Sequence, residues 1–302
     1  MQTLFLYFYV GFFFLQKIQG DAPMENYFPT KIQLFKPVEE LEFTDDYMFC
    51  TILEEHKDIC KEIIELLLNI KVNDIEYVNK QQSLKPRYET KGIRLDVFVK
   101  DSNRVIDLEM QTTIPSALEK RVRYYQSVMD ISELEKGKGY DEVKDSYVVF
   151  ICLSDPFNEN FPIYTVKQTF EENPNLDYND GRHIIFFNAS AYKSAKSKNI
   201  MFFLEYLSTK NSKDDLTSRI HNIVFTTKSK EEFGRSYMIA NMREIMMKKQ
   251  AFNEGLESGI LQKAIETAKN LLHMGLTLEQ VAQGTQLPME TVIKLKEELA
   301  NS

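Results

Sequence analysis

The sequence predicts an α/β fold followed by an all-helical C-terminal extension. Two runs rich in β-branched residues, 93–100 and 104–111, flank the turn residues Asp101-Ser102-Asn103 and predict a β-hairpin. A fully apolar run at 146–153 predicts a strand that is buried on both faces. Beyond Ala191 the apolar residues recur at helical spacing only, which predicts that the rest of the chain is helical.

Helices are predicted on the N-terminal side of the hairpin. Apolar residues recur at helical spacing across 46–69, where they predict one or two helices. The side-chain oxygen of Thr44 or Asp45 can cap the first of these helices. A short strand is predicted at 75–78, and the polar, proline-containing stretch 81–90 predicts a loop.

After the hairpin, strands and helices are predicted to alternate. Pro115 is expected to open a helix, because the missing N–H of proline costs nothing in the first turn. Two further strands are predicted at 163–170 and 183–188, with a polar turn region at 175–181 between them.

The C-terminal extension is predicted to contain several helices. They are expected near 196–208, from about 212 (capped by Ser212 or Asp214), and near 229–255. The tail at 261–299 contains short helical runs separated by glycine-containing turns, a pattern typical of a helix-turn-helix and equally of a plain helical hairpin used for packing or dimerisation. Its modest basic charge weakens the DNA-binding alternative.

Composition excludes some classes of function. The net charge is −8 and the pI is near 5.3, so bulk charge does not attract nucleic acid and any DNA contact requires a local basic patch. The three cysteines have neither disulfide nor zinc spacing, which indicates a reducing compartment, taken here as the cytoplasm. The four histidines are scattered, so the parts for zinc hydrolysis are lacking.

The first residues form a separate, strongly apolar segment. Leu4 to Leu15 is too short for a comfortable transmembrane helix, which needs roughly 17–25 residues. Three interpretations stay open: an extension ahead of a true start at Met24, an export signal or anchor, and a packed strand or helix. No stable membrane partner is expected.

The predicted hairpin carries the candidate metal-binding residues. Side chains two residues apart on a strand point to the same face, so Asp107, Glu109 and Gln111 share one face of the second strand. Asp96 lies on the preceding strand. Two carboxylates on adjacent strands can hold Mg²⁺, which prefers oxygen ligands. Solvated surface charges are the alternative, but carboxylates among apolar strand residues are costly to bury unless paired or metal-bound.

The next predicted helix offers groups that can bind phosphate. Arg121 and Tyr125 are four residues apart and face the same way, with Arg123 between them. Arginine binds phosphate oxygens through two N–H groups at once. A solvated, charged helix face is the alternative interpretation.

Taken together, these motifs resemble the PD-(D/E)XK nuclease superfamily and, more closely, the Rpn family of recombination-promoting nucleases, also called PD-(D/E)XK nuclease family transposases. The resemblance covers about residues 30–300, including the Met274-Gly275-Leu276-Thr277 tail. Its motifs are Thr44-Asp45-Asp46-Tyr47-Met48-Phe49, Arg94-Leu95-Asp96-Val97, Asp107-Leu108-Glu109-Met110-Gln111, Arg121-Val122-Arg123-Tyr124-Tyr125 and Ser154-Asp155-Pro156-Phe157.

The resemblance implies a restriction-endonuclease-like mixed sheet flanked by helices, and Mg²⁺-dependent cleavage of DNA, with Mn²⁺ as the alternative ion. By position, Asp96 and Glu109 are the metal-binding carboxylates, and Asp46 or Asp45 can add a further acidic group. Gln111 stands where the superfamily pattern has lysine, so a neutral amide replaces a positive charge beside the attacking water.

Four regions are predicted along the chain. They are an apolar N-terminal segment (1–29), a nuclease core (30–190), a helical extension (191–258) and a small helix-turn-helix-like or hairpin tail (259–302). The expected partner is DNA, with a homodimer formed through the C-terminal helices. The alternative function is a non-catalytic nucleic-acid- or protein-binding module on a nuclease scaffold, favoured by Gln111 and the acidic pI.

Overall fold

The computed structural model describes residues 35–72, 75, 77–84, 93–134 and 136–300, with no description of the side chains of 77–84, 93 and 94. The predictions for the apolar segment 1–29 lie outside the described residues. The described chain divides into two compact units, 36–237 and 238–300. Among the described residues no helix combines the length and apolarity that a membrane crossing requires.

A mixed six-stranded sheet forms the centre of the first unit. The described strands are β1 (Tyr77–Leu84), β2 (Ile93–Asp101), β3 (Arg104–Gln111), β4 (Asp145–Cys152), β5 (Ile163–Val166), β6 (Thr169–Phe170), β7 (Asn173–Asp177) and β8 (Arg182–Asn188), of which β6 and β7 lie outside this sheet. The order of the six strands is β1-β2-β3-β4-β8-β5; β3, β4 and β8 run parallel, and the other neighbouring strands pair antiparallel. The predicted α/β class with a mixed sheet flanked by helices is confirmed.

Helices cover both faces of this sheet. One face packs against α3 (Leu118–Glu133), whose Val122, Tyr125 and Met129 join Phe98 and Phe150 in one apolar cluster. The helices α1 (Asp46–Glu55) and α2 (Lys57–Leu68) confirm the predicted helical region 46–69, and α1 packs against β1 and β2. This packing places α1 and α3 beside the strands that carry the candidate site.

Two local predictions at helix starts are wrong. Asp45 occupies the N-cap position of α1 but makes no side-chain cap, because its carboxylate accepts from the Glu42 N–H (2.6 Å) and from Lys36 Nζ (2.7 Å). Pro115 does not open α3. The backbone at Ala117 is left-handed (φ 56°), so the chain turns there and the helix begins only at Leu118.

Three predictions about strands, loops and turns also need correction. The predicted loop at 81–90 includes Gln81–Leu84, which belong to β1 because pairing with β2 outweighs their weak strand propensity. The single strand predicted at 163–170 is divided between β5 and β6. The turn predicted at 175–181 overlaps β7, which pairs with β6 as a small separate hairpin.

The described chain beyond Ala191 is helical, as predicted. Asp214 caps α5 (Asp215–Lys228) in a reciprocal capping box with Thr217, which decides between the two predicted caps. The elements are α4 (Lys198–Thr209), α5, α6 (Glu231–His273), α7 (Leu278–Thr285) and α8 (Met289–Ala300). The helix predicted at 229–255 extends to His273. Gly255 and Gly259 do not end it, since a helical glycine costs only about 1 kcal/mol.

The second unit has a small core of its own. Ala268 of α6 packs with Val281 and Leu287, and with Val292 and Leu295 of α8. Gly275, with φ 83°, allows the chain to leave α6, and Thr277 then caps α7 through a capping box with Gln280. This arrangement is compatible with both predicted alternatives, a helix-turn-helix and a packing hairpin.

Candidate active site

The β2–β3 hairpin brings the predicted carboxylates to one face of the sheet. Val97 pairs with Leu108 and Phe98 with Asp107, so Asp96 lies on the face that Asp107 and Glu109 share. Beyond these pairs the carboxylates themselves bridge the strands. The Asp96 N–H donates to Glu109 Oε1 (3.0 Å), and the Met110 N–H donates to Asp96 Oδ2 (3.1 Å).

These polar groups are buried. Asp107 and Glu109 are 0% exposed, Asp96 is 8% and Gln111 is 9% exposed. A carboxylate removed from water is costly unless cations or hydrogen-bond donors compensate it. The hairpin therefore does not present the solvated surface charges that were the alternative interpretation of this motif.

Glu109 is the most highly connected of these groups. Its Oε2 atom accepts from the Arg121 guanidinium (3.0 Å) and from Gln111 Nε2 (3.3 Å), while Oε1 accepts from the backbone of Asp96. Burial raises the pKa of Glu109 well above its usual range, and the nearby Asp107 and Asp96 add to that effect against the opposing charge of Arg121. Glu109 thus depends on a nearby cation to stay ionised.

Arg121 is oriented by its own helix. Its Nε donates to the Tyr125 hydroxyl (2.8 Å), one helical turn further on, and a second guanidinium N–H donates to Gln111 Oε1 (3.4 Å). The guanidinium carbon also lies 4.9 Å from the Tyr125 ring centroid and 5.7 Å from that of Phe150. The structure therefore brings together Arg121, Tyr125 and the two hairpin residues.

Arg123 does not join this cluster. It follows Arg121 by two residues, about 200° around the helix axis, and its side chain is exposed. The structure thus separates the two arginines that the sequence motif placed together. Arg121 belongs to the buried cluster, and Arg123 belongs to the outer surface of α3.

A second group of ligand atoms lies where α1 meets β2. One ligand atom each from Asp46, Cys50 and Asp96 lie within 4.8 Å of one another. The Cys50 thiol donates to Asp46 Oδ1 (3.3 Å), and burial raises its pKa, with the charges of Asp46 and Asp96 acting in the same direction. The predicted extra acidic residue, Asp46, is therefore beside Asp96, whereas Asp45 is bound to Lys36.

Sequence reasoning missed Cys50. The one usable signal was its spacing: Cys50 follows Asp46 by four residues, which places both on the same side of a helix. Nothing in the local pattern indicated that this side of α1 would face Asp96, since that contact joins residues far apart in the chain.

Asp107 has the most unusual environment of the hairpin residues. Among the described residues, neither of its carboxyl oxygens has a hydrogen-bond partner. Burial raises its pKa well above the usual range, and the charge of Asp96 contributes in the same direction. Asp107 therefore binds its proton more tightly in the folded chain than an exposed carboxyl would.

The Ser154–Phe157 motif has a structural role. Asp155 accepts from the N–H groups of Phe157 (3.0 Å) and Asn160 (2.6 Å) and from the Tyr164 hydroxyl (2.7 Å), which holds the loop after β4 in one conformation. Phe157 then packs edge-on against Phe186, with ring centroids 5.0 Å apart. The motif therefore supports the apolar cluster packed against α3, and its residues supply no polar group to the hairpin.

The donor set suits a hard divalent cation. Asp46, Asp96 and Glu109 offer carboxylate oxygens, the ligands that Mg²⁺ and Mn²⁺ prefer. The thiol of Cys50 is a poor ligand for Mg²⁺ and is engaged with Asp46. The residues present therefore fit the metal expected of such a site, with Asp96 next to both groups of ligand atoms.

A comparison with models of protein families identifies the family of the chain. The family model for PD-(D/E)XK nuclease family transposases matches residues 43–254, which is well over half of the chain and includes the hairpin, α3 and the first part of α6. No curated protein and no solved structure matches the chain.

Proposed function

The chain belongs to the PD-(D/E)XK nuclease family transposases, and from that premise we propose that it is a Mg²⁺-dependent DNA endonuclease acting in transposition or recombination. One observation carries the proposal most directly. Asp96 and Glu109, the two carboxylates expected at the metal, share a face and are bridged across a buried hairpin. Arg121 of α3, which can bind phosphate, contacts Glu109 on that face.

The metal is assigned to Asp96 and Glu109, with Asp46 as an additional acidic group, and Mn²⁺ is the alternative ion. When bound, such an ion stabilises negative charge on a phosphate oxygen and lowers the pKa of a water molecule. Asp96 is suited to this position because it neighbours both Glu109 and Asp46. No other cofactor is proposed.

The remaining polar residues are assigned to positioning. The Gln111 amide, held between Glu109 and Arg121, can orient a water molecule or a phosphate oxygen but cannot supply a positive charge. Arg121 and Tyr125 are assigned to the phosphate near the reacting bond. Arg123, exposed on α3, is assigned to the DNA backbone further away.

The proposed partner is DNA, bound transiently through local basic groups, because the net charge of −8 opposes strong binding by the whole molecule. We further propose a homodimer through the C-terminal helices, no stable membrane partner, and a cytoplasmic location. The three cysteines, Cys50, Cys60 and Cys152, are all free and buried, which supports a reducing compartment.

Nicking of supercoiled plasmid DNA tests this function. Asp96→Asn and Glu109→Gln keep the shape of each side chain and remove its charge, so both should abolish Mg²⁺-dependent nicking, a loss of at least about 100-fold. Glu119→Gln removes an exposed carboxylate from α3 and serves as the matched control, with activity unchanged. If both site variants nick DNA like the parent, Asp96 and Glu109 are not the metal-binding pair.

The second candidate is a non-catalytic binding module on a nuclease scaffold. The observation in its favour is Gln111, which leaves the site without the lysine of the superfamily pattern. Mn²⁺ titration by calorimetry separates the two functions. A binding module would retain DNA while showing no Asp96-dependent metal site and no nicking, whereas the nuclease requires both.

A further inference from the structure

Both carboxylate oxygens of Glu109 are occupied by groups of the chain itself. Oε1 accepts from the Asp96 N–H, and Oε2 accepts from Arg121 at 3.0 Å and from Gln111 at 3.3 Å. Because Glu109 is fully buried, Arg121 is the cation that compensates its charge in this arrangement. A divalent cation at Glu109 would therefore meet a positive charge already in contact with its ligand.

Arg121 has the means to leave Glu109 without leaving the site. Its side chain is 31% exposed, whereas that of Glu109 is 0% exposed. Its Nε donates to the Tyr125 hydroxyl, and its guanidinium carbon lies 4.9 Å from the Tyr125 ring centroid and 5.7 Å from that of Phe150, so these contacts can keep the side chain in place. The guanidinium N–H that donates to Glu109 Oε2 can instead donate to a phosphate oxygen.

We propose that Arg121 and the divalent cation compete for Glu109, so that Arg121 holds the carboxylate in the metal-free chain and is released to the DNA phosphate when the metal binds. This inference rests on the proposed metal site at Asp96 and Glu109 and adds a coupling to it. Arg121 is thereby a positioning residue for the metal ligand as well as a phosphate-binding residue.

The competition has a consequence for DNA binding. Linkage is reciprocal: a phosphate that draws Arg121 away from Glu109 must strengthen metal binding, and the metal must strengthen phosphate binding by the same factor. An uncoupled site would bind the metal equally well with and without DNA. The cation and the substrate should therefore bind cooperatively, and this cooperativity should depend on Arg121.

The test measures Mn²⁺ binding by electron paramagnetic resonance, with Asp96→Asn used to identify the site. Arg121→Gln removes the competing charge and should bind Mn²⁺ about tenfold more tightly than the parent. Tyr125→Phe removes one hydrogen bond that orients Arg121 and should give a smaller gain of about threefold. Lys120→Gln, which removes an exposed charge next to Arg121 in sequence, is the control and should leave affinity unchanged.

A second measurement repeats the titrations with a short DNA duplex present. The parent should bind Mn²⁺ more tightly with the duplex, and Arg121→Gln should lose that increase. An Arg121 that merely supports the fold would not give a tighter site on removal. Tighter binding in Arg121→Gln, together with loss of the DNA effect, establishes the competition.

Weaker or unchanged Mn²⁺ binding in Arg121→Gln, alongside an Asp96-dependent site in the parent, overturns the competition and leaves the metal site standing. If neither protein has an Asp96-dependent site, the proposed metal function fails as well, which is a different result. Should Arg121→Gln fail to fold, the Mn²⁺ affinity of Tyr125→Phe provides the test. Tighter Mn²⁺ binding than in the parent supports the competition, and equal or weaker binding refutes it.

Discussion

The β2–β3 hairpin and the second unit differ in the residues that they bury. The hairpin buries Asp96, Asp107 and Glu109 within apolar strands. The core of the second unit, formed by Ala268, Val281, Leu287, Val292 and Leu295, is wholly apolar. An unpaired buried charge lowers stability, so the buried carboxylates of the hairpin call for a functional explanation. The apolar residues of the second unit are explained by packing alone.

This difference separates two kinds of evidence for function. The buried carboxylates, Arg121 and Gln111 together form a group of side chains whose chemistry suits the binding of a cation and a phosphate. The second unit offers no such group: its last helix, α8, carries two lysines against three glutamates, which does not favour the helix-turn-helix alternative. The predicted alternative, packing or dimerisation, requires no basic surface.

The largest effect on stability is expected from a substitution in the apolar core of the second unit. Leu287→Ala removes a buried side chain from the second unit and should lower its free energy of unfolding by about 2–4 kcal/mol. Hydrogen exchange should show the loss of protection in α7 and α8, while Mg²⁺-dependent nicking remains.

The control for this change is Lys294→Ala, which alters only the exposed surface of α8. Its stability should stay within about 0.5 kcal/mol of the parent. Reduced DNA binding in both variants would show that α8 contacts DNA, and the helix-turn-helix alternative would then replace the packing role.

Much of the hairpin could be predicted from the sequence. Alternating β-branched residues and the turn at 101–103 predict both strands, and parity alone places Asp107 and Glu109 on one face. These are local properties, determined within about twenty residues of chain. The family resemblance also implies a mixed sheet flanked by helices, which the structure confirms.

The sequence could not predict which partner each buried group would select. Arg121 is bound to Glu109 in the structure, a contact between α3 and β3 that no spacing rule implies. Cys50 reaches Asp96 through the packing of α1 on β2. The helix predicted near 229–255 is too short, because the strong helix formers after Gly255 and Gly259 outweigh the cost of these glycines and the helix continues to His273.

A smaller effect is expected from Asp107, on the charged side of the comparison. The pKa of this buried carboxyl is raised above its ordinary value of 3.8, so the folded chain holds a proton that the unfolded chain releases. The stabilising contribution is complete below pH 3.8 and is lost as pH rises towards the folded pKa, by at most about 1.4 kcal/mol per pH unit. Glu109 adds a dependence of the same sign.

Urea unfolding at pH 5 and pH 8, with a chelator present, checks this prediction. The parent should be less stable at pH 8, and Asp107→Asn, which cannot titrate, should show a smaller decrease. Asp141→Asn changes an exposed carboxyl and should keep the parent's pH dependence. Identical pH dependence in the parent and in Asp107→Asn would mean that Asp107 is ionised in the fold and has a partner.

The smallest effect is expected at Gln111, where one substitution can restore the superfamily pattern. Gln111→Lys places a positive charge beside Glu109, where it can stabilise the attacking water as its proton leaves, and should raise the single-turnover nicking rate about tenfold, equivalent to about 1.4 kcal/mol. Gln111→Met, of similar length but without a donor, should lower the rate. A lysine variant no faster than the parent would indicate that the Gln111 amide already meets the needs of the site, or that the charge of Arg121 serves in place of lysine.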